Sequence, residues 1–219
     1  MKAVIFDLDG TLLNTIDTIK YYCDNALTKY DFEPISIEKY KLMVGNGAKL
    51  LIERAMNNTR EDWTEAEFES VFNAYSDAYD ADTLYLTEPY AGVVDMLHKL
   101  KENGYKIAVL SNKPNFATVD VVKTIFGDGL FDIVRGGIDG VPLKPAPDGV
   151  FEIMKELGVS PDEAMFVGDT KVDITTGKNA GLYSVGVLWG FRDEAELAAA
   201  GADIIINDAS KIVDIANER

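Results

Sequence analysis

Short apolar runs stopped by polar residues recur along the chain, with amphipathic stretches between them. Ala3-Val4-Ile5-Phe6 is unbroken and ends at Asp7, which predicts a strand buried on both faces, as in a parallel sheet. Similar runs lie at Ile107 to Leu110, Met165 to Val167, Ser184 to Leu188 and Asp203 to Ile206. Between them, Val93, Val94, Leu97 and Leu100 mark a helix closed by Gly104. Phe116, Val119, Val122, Ile125 and Phe126 mark a second, and Val150, Phe151, Met154 and Leu157 a third that ends at Gly158. Strand-helix alternation builds βαβ units, so the pattern predicts an α/β fold with a doubly wound parallel sheet.

Residues 16–82 break the alternation. They carry helical periodicity without strands: Ile16, Ile19, Cys23, Ala26, Leu27 and Tyr30, then Phe68, Val71, Phe72, Tyr75 and Tyr79. This predicts a smaller all-helical domain, 16–82, inserted after the first strand of a core formed by 1–15 and 83–219. The stretch from Glu61 to Glu88 holds nine acidic residues and no Lys or Arg. It fits a solvated helix face, and also a surface for a cation or a partner.

Composition narrows the partners. At 219 residues the chain is long enough to bury a core without staples, and 47% apolar against 26% charged residues is ordinary for a globular protein. Lys plus Arg number 21 against 37 Asp plus Glu, a net charge of −16 that repels nucleic acid and anionic lipid. Small ligands, cations and proteins remain. Cys23 is the only cysteine, so no internal disulfide forms, and no apolar stretch is long enough for a membrane helix or a signal peptide. A cytoplasmic setting is the expectation.

In an open parallel sheet ligands bind beyond the carboxyl ends of the strands. Four such ends carry chemistry: Asp7-Leu8-Asp9-Gly10-Thr11, Ser111-Asn112-Lys113, Lys144 between Pro142 and Pro147, and Gly168-Asp169-Thr170-Lys171-Val172-Asp173. Each alone also reads as a turn or a helix start. A calcium loop is disfavoured at Asp7-x-Asp9-Gly10, because a strand precedes it and the further oxygen ligands are missing. Ionised Asp7, Asp169 and Asp173 with Lys144, and a protonated Asp9, sum to −2, which excludes a dianionic substrate until a hard divalent cation such as Mg²⁺ brings the site to neutrality. Ser111 has no partnering base, since the only histidine, His98, sits beside Leu97 on a helix; Cys23 lies on an apolar stripe. A carboxylate needs no deprotonation, which favours Asp7 as nucleophile, with Asp9 supplying a proton to the leaving oxygen and then activating water.

Phe6-Asp7-Leu8-Asp9-Gly10-Thr11-Leu12, Ser111-Asn112-Lys113, Lys144-Pro145 and Gly168-Asp169-Thr170-x-x-Asp173 resemble, in order, the four motifs of the haloacid dehalogenase superfamily. The resemblance implies a Rossmann-like core and a helical cap. It implies Asp7 as nucleophile and metal ligand, and Asp9 as general acid/base with a backbone carbonyl on the metal. Asp169 is a further ligand and Asp173 supports the metal from behind; Mg²⁺ is the cofactor. Ser111 and Lys144 hold the phosphoryl group, with Thr11 and Asn112 among the substrate-binding residues. Asp9 also favours phosphatase over dehalogenase, a branch that lacks this second Asp. Val44-Gly45-Asn46-Gly47-Ala48 with Leu51, Glu53-Arg54-Ala55, and Trp189-Gly190-Phe191 leading to Ala200-Gly201-Ala202-Asp203 are similar to phosphoglycolate phosphatases. Pyrophosphatases, nucleotidases, sugar phosphatases and phosphomutases share much of this pattern, so these stay open. A non-catalytic receiver-like signalling module is the alternative of another class. Asn14 departs from the Asp usual at its position. In the cap, where a lid reads the leaving group, Lys41, Lys49 and Arg54 are available to a substrate carboxylate, and each also fits an exposed helix residue.

Overall fold

The computed structural model describes residues 1–219. A six-stranded, all-parallel sheet forms the core: β1 (Ala3–Phe6), β4 (Lys106–Pro114), β5 (Ile133–Gly137), β6 (Ala164–Gly168), β7 (Tyr183–Val187) and β8 (Ile204–Ile206), in the order β5-β4-β1-β6-β7-β8. The chain builds outward from β1 through β4 to β5, then crosses back to β6. The strand order therefore reverses at β1/β6, the crevice where such sheets bind ligands.

Period-two alternation sends β1 into both layers. Val4 and Phe6 pack with Met96, Leu97 and Leu100 of α5 (Val93–Glu102) and Ile212 of α10 (Lys211–Glu218). Ala3 and Ile5 pack with Val150, Ile153, Met154 and Leu157 of α7 (Asp148–Leu157). α6 (Asn115–Phe126), α8 (Lys171–Asn179) and α9 (Glu194–Ala199) complete the layers. None of the helices is long and apolar enough to cross a membrane.

Between β1 and α5 the chain leaves the core. Two short strands, β2 (Leu13–Asn14) and β3 (Glu88–Pro89), pair antiparallel, with Asn14 opposite Glu88. From this two-stranded stem rise α1 (Ile16–Lys29), α2 (Ile37–Met43), α3 (Ala48–Asn57) and α4 (Glu65–Ala81). They share an apolar core of their own around Cys23, Leu27, Tyr40, Ile52 and Met56. Burial pushes the Cys23 thiol up to about 12, so it behaves as an apolar packing residue. His98 is exposed on α5.

Three expectations change. The second core strand does not stop at Leu110; β4 continues to Pro114 with its pairing to β5 shifted between Leu110 and Pro114, so Ser111, Asn112 and Lys113 lie within the strand. Such an irregularity re-aims side chains beside a site. β5 escaped the apolar-run criterion because it reads Ile-Val-Arg-Gly-Gly and lies at the sheet edge. The buried face of α6 is Ala117, Thr118, Val121 and Val122, while Phe116 and Val119 are exposed. The reason is steric: a side chain at Gly136 of β5 would lie within 2.5 Å of both Asn115 Cα and Thr118 Oγ1, so only small residues fit that contact.

Candidate active site

The register Phe6 opposite Val167 sets Asp7 and Gly168-Asp169 side by side at the reversal point, and Asp7 N donates to Val167 O at 2.9 Å. Lys144 arrives from the loop before α7. Its Nζ lies 2.7 Å from Asp7 Oδ1 and 2.7 Å from Asp173 Oδ1. Asp173 belongs to the first turn of α8, where Oδ2 accepts from Thr170 N at 3.0 Å and Thr170 Oγ1 at 2.7 Å; Thr170 Oγ1 in turn accepts from Val172 N. This capping box holds Asp173 rigidly. Asp169 accepts from Phe191 N at 2.7 Å and Thr11 Oγ1 at 3.2 Å. Asp7 Oδ1 also accepts from Leu8 N at 2.7 Å, whereas Asp7 Oδ2 carries no hydrogen bond.

Asp7, Asp169 and Asp173 are all buried, with one oxygen of each within 4.8 Å of the others. Burial raises the Asp7 carboxyl well above the carboxylate range; Asp173 and Asp169 push it further, and Lys144 counteracts them in part. Burial and the Asp173 charge raise Asp169 to about 7 against the Phe191 N–H, the Arg192 charge and the Thr11 hydroxyl. Burial alone would depress Lys144, yet Asp173 and Asp7 hold it above its ordinary value. Hard oxygen donors in excess of the local positive charge suit a divalent cation, which would relieve the repulsion that raises both acids. Gly10 makes room for this cluster: its φ is +87°, and a side chain there would lie 2.7 Å from Asp169 Cγ.

Asp9 stands differently from the lone protonated acid of the charge count. Its Oδ1 is ion-paired with Lys113 Nζ at 2.9 Å, both side chains nearly buried. The pair is neutral, so the sum of −2 over the remaining groups is unaffected. Local spacing gives Lys113 no part in the site, because its contact with Asp9 spans 104 residues. Burial alone would lower the Lys113 pKa, but Asp9 and Tyr79 hold it above the ordinary value.

Two assigned substrate contacts are otherwise engaged. Asn112 Nδ2 donates to Gly45 O and Lys144 O, each at 2.9 Å, and its Oδ1 accepts from Lys144 N at 2.8 Å. It thereby clamps the α2–α3 loop and the Lys144 loop together. Thr11 is buried behind Asp169 and does not reach the cavity. Ser111 does reach it; its Oγ accepts from Lys113 N at 3.2 Å and keeps its own proton to donate.

A cavity of about 750 Å³ including its mouth lies between the sheet end and the helical insert. Asp7, Asp9, Ser111, Asn112, Lys113 and Lys144 form its floor. Ile19, Leu51, Phe72, Tyr75 and Tyr79, with Gly45, Gly47 and Ala48 at the start of α3, form its roof. Gly47 has a φ of +90° and stands against Leu143 and Asn112, which favours glycine at this wall. None of Lys41, Lys49 and Arg54 lines the cavity. Lys41 pairs with Glu38 at 3.2 Å, and Arg54 donates to Met43 O and Asn46 Oδ1. Lys49 lies 5.8 Å from the centre of the Phe72 ring. Sequence reasoning also missed Arg192, a nearly buried core residue whose Nη2 donates to Leu42 O and Val44 O of the insert at 3.0 and 3.1 Å.

The chain matches the model of the haloacid dehalogenase-like hydrolases over residues 4–187. It is 32% identical to Phosphoglycolate phosphatase 1 of Pseudomonas aeruginosa, covering 99% of this chain and 80% of that one. It is 30% identical to Phosphoglycolate phosphatase of Haemophilus influenzae, covering 98% and 97%. A crystal structure from Haemophilus somnus, described as a predicted phosphoglycolate phosphatase, superposes with a TM-score of 0.92 at 29% identity, covering 98% and 97% of the two chains. With the four motifs gathered at one sheet end beneath a helical insert, the chain belongs to the haloacid dehalogenase-like hydrolase family.

Proposed function

We propose that the protein is a Mg²⁺-dependent phosphatase that hydrolyses a small phosphate monoester through an aspartyl phosphate, with phosphoglycolate as the substrate of choice. The observation that carries this reading is the free Oδ2 of Asp7, presented beside Lys144 in a buried, carboxylate-rich floor under the cavity. Asp7 and Asp169 would hold the metal through side chains and Asp9 through its backbone carbonyl, with Asp173 behind them. The ion, when bound, neutralises the carboxylates and the phosphoryl oxygens and draws charge from phosphorus.

Asp9, once it has left Lys113 and taken a proton from solvent, is the acid: Asp7 Oδ2 attacks phosphorus while the bond to the ester oxygen breaks, and Asp9 gives that oxygen the proton. Lys144 and the Ser111 hydroxyl hold the phosphoryl oxygens as their charge shifts. Asp9 then takes a proton from water, which attacks phosphorus, releasing inorganic phosphate and restoring Asp7. Asn112 positions rather than binds, since its bonds hold the Lys144 backbone. Residues 16–82 act as the cap that excludes water, hinged at the β2–β3 stem. The lone, buried Cys23 fits a reducing, cytoplasmic setting.

The names of the relatives support phosphoglycolate. Assay of wild type, Asp7→Asn and Asp9→Asn with Mg²⁺ against phosphoglycolate, pyrophosphate, nucleotides and sugar phosphates tests the reading. Phosphoglycolate is expected to be the best substrate, and Asp7→Asn to lose about 10⁴-fold or more in kcat. Full activity in both variants contradicts the mechanism.

A further inference from the structure

Two polar groups at the leaving-group end of the cavity are unexplained by phosphoryl chemistry. Tyr79, on α4 of the cap, is buried and its hydroxyl has no hydrogen-bond partner. Lys113, on β4 of the core, has its Nζ 4.7 Å from the centre of the Tyr79 ring. Both groups line the cavity. An ammonium offers three donors and no acceptor, so Lys113 cannot take the phenol proton, and Asp9 satisfies only part of what Lys113 has to give. Burying donors without acceptors is costly, and the shortage here is of negative oxygen.

Their position tells which part of a ligand supplies it. Asp9 is the residue assigned to the ester oxygen, and Lys113 is one hydrogen bond beyond it. A carboxylate attached through one carbon to an ester oxygen places its own oxygens roughly 2.6–3.6 Å from that oxygen. Lys144 is not available for this task, since Asp7, Asp173 and the phosphoryl group take its three donors, and no other Lys or Arg lines the cavity. Asp80, exposed at the rim, is the one cap carboxylate facing the same space.

Resting on the phosphatase reading, we infer that Lys113 and the Tyr79 hydroxyl together form the receptor for a carboxylate on the leaving group, one donor from each side of the cavity. The Lys113–Asp9 ion pair is its resting form. An entering carboxylate takes Lys113 as its own partner and the Tyr79 proton as a second bond, and frees Asp9 to face the ester oxygen. Specificity then comes from a group that must be displaced rather than from a cap arginine. Cap and core are joined through the ligand, so only an ester long enough to touch both is read.

The test compares 2-phosphoglycolate with 2-hydroxyethyl phosphate, which replaces the carboxylate by an alcohol, in the presence of Mg²⁺. Wild type is expected to favour the carboxylate by about 100-fold in kcat/KM, as a charge-assisted pair supplies. Tyr79→Phe removes a hydroxyl that has no hydrogen-bond partner, so its melting temperature should hold. Its preference should fall about 10-fold, through KM for phosphoglycolate. Lys113→Met should abolish the preference whatever it does to the rate the two esters share, and Lys113→Arg should restore most of it. Equal wild-type efficiency on both esters, or a preference untouched by Tyr79→Phe and Lys113→Met, overturns the receptor and leaves the phosphatase standing. Failure of wild type to hydrolyse either ester, with turnover of another phosphate ester retained, overturns phosphoglycolate as substrate and the receptor with it; failure on every ester overturns the phosphatase itself.

Discussion

On the core side of the cavity both oxygens of Asp169 and of Asp173 have hydrogen-bond or ion-pair partners; on the cap side the Tyr79 hydroxyl has none. The core half is over-determined. Lys144 is held by two carboxylates through its side chain and by Asn112 through its backbone, and Asp173 by a capping box. The cap half offers aromatic rings, the glycines of the α2–α3 loop and few polar atoms. Rigid placement is what a reaction common to many esters requires, since fixed dipoles and charges act without reorganising. Sparse polarity is what selection requires, because each unsatisfied group awaits one chemical complement.

The sharpest way to break this contrast is at the residue shared by three core contacts. Lys144→Met leaves Asp7 and Asp173 buried together without their cation. Turnover under saturating Mg²⁺ should fall about 10²–10³-fold, measured as kcat. Retention of wild-type turnover would mean that the core half is not over-determined in the way its bonds imply.

Proton linkage gives the next largest effect. The folded, metal-free chain holds protons on Asp7 and Asp169 that the unfolded chain releases near pH 4, so its stability falls as pH rises from about 4 through 7. A bound cation must expel those protons. Its affinity should therefore weaken toward ten-fold per pH unit, for each proton displaced, below about pH 7. Titration calorimetry with Mg²⁺ at pH 6 and pH 8, and thermal melts with and without the ion, read both consequences. A Mg²⁺-induced rise in Tm that is larger at pH 6 than at pH 8 contradicts the assignment.

Asn112→Ala removes the clamp between the two halves. A loss of about 2 kcal/mol in stability, or ~5 °C in Tm, is expected from the unsatisfied backbone groups it leaves. KM should rise more than kcat falls, because the α2–α3 loop loses its tie at Gly45 while the Asp7–Lys144 contact remains. Asn14→Asp should matter least. Asn14 sits in the β2–β3 stem opposite Glu88, so a new carboxylate there adds like charge at the hinge, with a change in kcat/KM of less than about 3-fold.

The same contrast explains what could be read from the chain. β1, β6 and β7 were legible because strands buried on both faces are continuous apolar runs, and the insert because helical periodicity persists from Ile16 to Tyr79 without a strand. As candidates, Asp7, Ser111 and Asp169 were legible because they follow apolar runs and Asp173 because it opens the helix after one, whereas Lys144 sits in a Pro-rich turn after no such run and was legible only through its motif. β5 was hidden by its glycines and arginine at a sheet edge. The Asp9–Lys113 pair, the Arg192 tie to the insert and the Asn112 clamp depend on contacts between residues far apart in sequence. Trp189-Gly190-Phe191 reads from sequence only as a likeness, yet Phe191 N is an Asp169 donor and Gly190 has no room for a side chain beside Asp169. A glycine between two aromatics, just after a predicted strand, was the available signal for that close approach.

In the proposed mechanism the phosphoryl group passes through Asp7. Acid quench during turnover of phosphoglycolate with Mg²⁺, followed by peptide mass spectrometry, should find a phosphoryl group on the peptide containing Asp7. It should accumulate when Asp9→Asn slows the attack of water. Steady turnover with no phosphoryl group on Asp7 at any time, in either protein, would contradict the account.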